Sequence, residues 1–208
     1  YLWALGRAVM ILAALDTGSP FEGMGASREA TWAALAEPGL FLVLGTLAAA
    51  SGHSTLGQLL QLDRVTPAAL VVRATCALGL LVLAQLEASR VPNDDPATHL
   101  ELTMIHEVMI LDHSGPDLAA LQYASGLKLT LCAGLIAALL NPVGPAQPPA
   151  LVALAGLALM VGVAIAVGWI EALTARLRLK AVPAYLLVGS LLGLLALLTV
   201  AFAPGAQP

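Results

Sequence analysis

The segment from Val91 to Asp117, VPNDDPATHLELTMIHEVMILDHSGPD, gathers acids and imidazoles between two long apolar runs. Glu101, Glu107 and Asp112 are its candidate proton carriers, because a partly desolvated carboxylate holds its proton to higher pH and can exchange it near neutrality. His99, His106 and His113 recur every seven residues. Ligands two helical turns apart cannot share one metal ion, and HEVMILDH lacks the one-turn spacing of HExxH. Proton relay or hydrogen bonding suits these imidazoles better, since they titrate near neutral pH. The alternative is a solvated face that binds nothing.

Three further charged groups sit inside apolar runs. Glu37 stands directly before Pro38, where a proline frees a backbone carbonyl and bends the helix. A charge in a membrane span costs about 2.5 kcal/mol or more unless it meets water or a partner, so Glu37 is a candidate site residue. Lys128 lies near the middle of its run, too deep to snorkel, which points it toward water or a carboxylate. Arg73 either snorkels to the nearby helix end or turns inward to an ion pair.

The elements that must hold these groups are membrane helices. Of 208 residues, 59% are hydrophobic and only 11% charged, against about 25% charged in a soluble domain. Mean hydropathy is +0.89. The expected fold is all-α, a polytopic transmembrane bundle forming one membrane domain over 1–208. Its apolar runs cover 1–15 (the end of a longer helix), 28–51, 68–87, 118–140, 150–171 and 183–202. Asp16 to Ser27 reads as a loop, because it mixes Gly, Pro and acids. Within 91–117, Asp95 or Thr98 can cap a helix running to Asp112, stopped by Ser114, Gly115 and Pro116. That helix is too apolar for a free loop and too charged to span, so it is expected at the membrane boundary.

If successive loops alternate sides, one side carries Arg28, Arg90, Arg176, Arg178 and Lys180 and the other only Arg64. The positive-inside bias then places 91–117 in the cytoplasm, and the chain is expected in the cell inner membrane. The net charge of -4, without a basic run, argues against nucleic acid. Cys76 and Cys132 lie apart in apolar runs and read as buried free thiols. No clustered cysteines and no nucleotide-binding glycine loop are present, so the chain is expected to hold no metal, iron-sulfur cluster or flavin.

Three stretches occur in the order of a known family: GMGASREATWAALAEPGLF at 23–41, THLELTMIHEVMILDHSG at 98–115 and WIEALTARLRLKAVPAYL at 169–186. Together they resemble the membrane subunit of group 4 nickel-iron hydrogenases and formate hydrogenlyase, homologous to subunit 1 of respiratory complex I. Asp112-His113 replaces the family's Glu-Tyr before Ser-Gly. The resemblance implies a non-catalytic membrane subunit of an oxidoreductase complex, which anchors the electron-carrying arm and couples it to ion movement along an acidic route. It carries Glu37, Glu101, Glu107 and Asp112 over to the ion pathway, and Lys128 and Arg73, outside the matching stretches, are the candidate counter-charges. Arg28, Glu29, His106, Glu171, Arg176 and Arg178 go to contacts with the partner or its cavity. It also implies hydrogenase small and large subunits and an antiporter-like membrane subunit as partners, with the nickel-iron centre and iron-sulfur clusters in those partners.

Three rival readings remain open. The first is a quinone-binding subunit 1 of NADH-quinone oxidoreductase. The second is a stand-alone secondary transporter using Glu37 and Lys128, which predicts an internal repeat that this sequence does not display. The third is a structural anchor whose acids only dock a basic surface.

Overall fold

A computed structural model describes residues 2–60, 66–94, 104–144 and 147–202. The described residues form helices and no strand: α1 (Leu2–Asp16), α2 (Pro20–Ser51), α3 (Leu56–Leu59), α4 (Pro67–Glu87), α5 (His106–Met109), α6 (Gly115–Leu140), α7 (Pro149–Leu173) and α8 (Val182–Phe202). The protein is an all-α polytopic membrane bundle. Helices α2, α4, α6, α7 and α8 are each long and apolar enough to cross a bilayer. Proline at the first helical turn starts α2, α4, α6 and α7, where its missing N–H costs nothing. Thr66 adds a side-chain cap on α4 by accepting from Ala69 N at 3.3 Å. Gly52 ends α2 at φ 68°, a backbone conformation that glycine adopts without strain.

Helices α2, α4 and α8 form the centre. Val43 and Leu47 of α2 pack with Val72, Cys76 and Leu80 of α4, Ile136 and Leu139 of α6, and Ala196 and Val200 of α8. Small residues let the backbones approach: a Cβ on Gly39 would lie 2.8 Å from Ser190 Oγ, and one on Gly193 would lie 3.1 Å from Leu42 Cβ. Gly189 and Gly193 are four residues apart on α8, the spacing of close membrane-helix contacts. Nearer the other end, Trp32, Leu83, Leu86, Ile105, Val182 and Leu186 make a second apolar layer. Helix α7 is peripheral, and its outer face of Leu154, Leu157, Val161, Ile165, Trp169 and Leu173 is exposed. In a bilayer those side chains meet lipid tails or another subunit rather than water.

Three expectations are corrected. The loop read at 16–27 shrinks to a short connection, since α2 begins at Pro20 and continues unbroken through Pro38. The glycine in that stretch serves packing: α5 lies against Gly25, so that a Cβ would strike the Val108 side chain and sit 2.9 Å from Ile105 O. The helix expected up to Asp112 is, over its described part, the single turn His106–Met109. Asp95, Thr98, His99 and Glu101 lie outside the described residues. Finally, Arg73 is buried rather than snorkelling, and donates to Leu139 O at 2.9 and 2.7 Å and to Asn141 O at 3.4 Å. It thereby satisfies carbonyls that the end of α6 leaves without partners.

Candidate functional site

Arg7 on α1 is the centre of the buried polar structure. Its three guanidinium nitrogens reach three carboxylates: Nε lies 3.4 Å from Glu29, Nη1 donates to Glu37 at 3.2 Å, and Nη2 donates to Glu87. Glu29 and Glu37 are eight residues apart on α2, about 12 Å along its axis, and both lean toward the guanidinium between them. Glu87 is the last residue of α4. Arg7 is 7% exposed as a whole residue. The Glu29 and Glu87 side chains are 15% and 12% exposed, whereas Glu37 is half-exposed. One guanidinium against three carboxylates leaves an excess of acid. In each ion pair only Oε1 of the carboxylate is committed to Arg7.

Beside the cluster is a cavity of about 30 Å³, walled by Trp3, Leu40, Leu83, Cys132 and Leu135 and touched by both Glu37 and Glu87. Lys128, half-buried on α6, acts electrostatically on Glu29 and on His106. Among the described residues no carboxylate lies within 4 Å of it, so it biases the cluster without closing an ion pair.

A second polar group sits where α4, α5 and the α7–α8 loop meet. Asp94, 3% exposed, accepts from the backbone N–H of Ile105 at 3.3 Å and of His106 at 2.9 Å. Its other oxygen accepts from Arg176 at 3.0 Å. Leu177 N donates to Pro92 O at 2.9 Å, and Arg90 pairs with Glu171 at 3.6 Å, so the α7–α8 loop is tied to the segment after α4. Asp94, His106, Glu107, Arg90, Gln122 and Ser125 line a pocket of about 360 Å³. Burial holds the His106 imidazole below its ordinary pKa; Lys128 pushes the same way and Asp94 opposes both. The neutral ring, with Nε2 taking no hydrogen bond, can still gain a proton.

The candidates from sequence therefore fall into separate places. Glu29 and Glu37 join the Arg7 cluster, and His106, Glu107 and Arg176 gather about Asp94 and its pocket. Glu171 holds Arg90, and Arg28 donates to Met104 O at 2.9 Å. Asp112 is exposed in the turn before α6, and Arg178 is exposed in the α7–α8 loop. Arg73 lies 14 residues before Glu87 on α4, about 21 Å away along the axis. Glu101 lies outside the described residues.

Arg7, Glu87 and Asp94 were not singled out by sequence reasoning, nor was Glu22, 1% exposed, whose Oε2 takes no hydrogen bond. The rarity of charge in an apolar run could have flagged Arg7 and Glu87; Asp94 and Glu22 stand in polar stretches that give no such signal.

A family profile described as NADH dehydrogenase matches residues 1–203. Hydrogenase-4 component C of Escherichia coli (strain K12) is 37% identical over 150 residues, covering 71% of this chain and 46% of that protein. Formate hydrogenlyase subunit 4 of the same organism is 31% identical over 134 residues, 62% of this chain and 41% of that protein. The chain matches less than half the length of either relative.

Proposed function

Because the chain belongs to the NADH dehydrogenase family, we propose that it is a membrane subunit of a hydrogenase or formate hydrogenlyase type complex and that it moves ions in response to electron transfer. The subunit anchors peripheral redox subunits at the end of the bundle where Asp94 and α5 lie. The nickel-iron centre and iron-sulfur clusters belong to those partners, and an antiporter-like subunit packs beside it in the membrane. That end faces the cytoplasm, in the cell inner membrane.

The observation that carries this reading is the Arg7 cluster with its excess of buried carboxylate. A cluster with one cation and three acids changes its protonation when a charge nearby changes. The pocket holding Asp94, His106 and Glu107 is where a partner's charge acts, and Lys128 acts on both His106 and Glu29, linking the two places. The test is the reconstituted complex in liposomes: Glu37→Gln and Glu87→Gln should keep electron transfer yet abolish ion movement. Unchanged ion movement in both variants overturns the proposal and leaves a structural anchor.

A second reading, a quinone site, draws on one feature. The pocket volume lies within the range of small-molecule sites, and His106 Nε2 is a buried ring nitrogen with no partner. His106 and Ser125 would hold the quinone oxygens, and the quinone would supply the electron acceptor. Loss of a quinone-analogue's binding in His106→Leu supports that reading, and binding unaffected by the substitution removes it.

A further inference from the structure

We infer that the subunit holds one anionic phospholipid, with its headgroup on Arg178 and Lys180 of the α7–α8 loop and one of its tails in the groove between α4, α6 and α7. The inference is independent of ion movement and needs only that the bundle spans a membrane.

The head is assigned from a difference among the cations at one end of the bundle. Arg28 donates to Met104 O, Arg90 pairs with Glu171 and Arg176 pairs with Asp94. Arg178 and Lys180 are exposed, and among the described residues neither side chain has a hydrogen-bond or ion-pair partner. Leu177 and Leu179, which alternate with them, pack against the apolar layer of Trp32 and Leu186, so the loop turns its two cations outward. Two cations so close together attract an anionic headgroup. Trp169 and Leu173 are exposed at the neighbouring end of α7. An indole of this kind sits at headgroup level, which places the cations at the edge of the bilayer.

The tail is assigned from a groove of about 470 Å³, walled by Ala77, Leu78 and Leu81 of α4, Ile136 of α6, and Gly162 and Ala166 of α7. No polar side chain lines it, so water finds no partner there. A Cβ on Gly162 would meet nothing within 4 Å, which leaves the groove open beside the α7 backbone. Leu81 and Ala166 lie six and seven residues before the last residues of α4 and α7, about 9 and 10 Å along the axes. One leaflet holds about 15 Å of hydrocarbon, so a tail descending from the loop end of the membrane reaches both. A spanning helix of another subunit would need a channel about 30 Å long, whereas the walls Ala74 to Leu81 and Leu159 to Ala166 each extend about 10 Å. The groove therefore suits the end of a tail, and the cations select the charge of the head above it.

The test titrates the detergent-purified full chain with phosphatidylglycerol and with phosphatidylcholine of the same tails, and counts bound lipid by native mass spectrometry. Phosphatidylglycerol should bind about 25-fold more tightly, about fivefold for each cation. The double variant Arg178→Gln, Lys180→Gln should bind the two lipids alike. Gly162→Leu fills the groove without striking a neighbour, and should weaken both lipids about tenfold, the worth of about two methylene groups, while keeping the preference. A preference for phosphatidylglycerol that survives in the double variant, or binding of both lipids unchanged in Gly162→Leu, overturns the inference. Displacement of phosphatidylglycerol by an equal concentration of inorganic phosphate also overturns it, since the site would then be one for a free anion. In the assembled complex a photo-crosslinker at Leu78 should attach to lipid, and attachment to another subunit would give the groove to a protein instead.

Discussion

Among the described residues the polar partners of Arg7 are carboxylate side chains, whereas Asp94 holds backbone N–H groups as well as a guanidinium. The difference sets what each region can do. Among the described residues no main-chain group hydrogen-bonds to Arg7 or to its three carboxylates, so acids can gain or lose protons there without unfolding a turn. Asp94 cannot leave Ile105 and His106 without freeing the start of α5. The first grouping is arranged to change charge, and the second to hold three chain segments in register. Substitutions that remove one charge from each grouping should therefore fail in different ways.

Arg7→Ala should have the largest effect. It leaves buried carboxylates without their cation, and removing one partner of a buried ionic group costs about 3–5 kcal/mol. Thermal melts of the detergent-solubilised protein should show a clear drop, reduced when Glu87→Gln is added to remove one uncompensated acid. A double variant no more stable than Arg7→Ala would mean that Glu87 is not held at the cost of Arg7. Asp94→Asn should cost less, about 1.5–3 kcal/mol for a hydrogen bond to a charged group. Its signature is local: hydrogen exchange should accelerate at the Ile105 and His106 amides and in the α7–α8 loop, while α2 and α8 stay protected. Uniform acceleration throughout the bundle would contradict the role as a local tie.

His106 sharpens the contrast through pH. Burial favours its neutral form in the fold, so the unfolded chain binds the proton more readily. Its contribution is therefore harmless above the ordinary histidine pKa of about 6.5 and destabilises the fold as pH falls below that value toward the folded pKa. The wild type should lose stability between pH 7 and 5 more steeply than His106→Asn, by melts at matched ionic strength. Parallel curves would show that His106 accepts a proton in the fold as easily as in the unfolded chain.

How much of this could be read from the chain alone differs between the two regions. Hydropathy marks the spans well because burial in lipid demands long apolar runs, and Glu37 stands out by interrupting one. Glu87 falls at the end of its run, where a solvated position is the ordinary reading, and Arg7 is a lone cation within 1–15 with no acid near it in sequence. Only the packing of α1 against α2 and the ion pair from Arg7 to Glu87 at the end of α4 show that they share a centre with Glu29. Asp94 is likewise one acid among several in VPNDDPATHLEL, and its partner Arg176 is 82 residues away. The start of α2 was legible in principle, since Ser19-Pro20 is an N-cap followed by a first-turn proline. Gly23 and Gly25 obscured it, because glycine argues for a loop until α5 is seen lying against Gly25.

The smallest effect is expected at Arg90 and Glu171, and it tests whether the loop end works by geometry or by charge. Their side chains are 35% and 28% exposed and 3.6 Å apart, so solvent screens the pair and its removal should cost no more than about 1 kcal/mol. Arg90→Gln should therefore leave the melting temperature nearly unchanged and the Ile105 and His106 amides protected, unlike Asp94→Asn. If Arg90→Gln instead loosens α5 as much as Asp94→Asn does, the end of the bundle is held by its summed charge and not by the backbone hydrogen bonds of Asp94. The line between the two ionic groupings would then have to be redrawn, with both responding to charge and neither serving only to fix the chain.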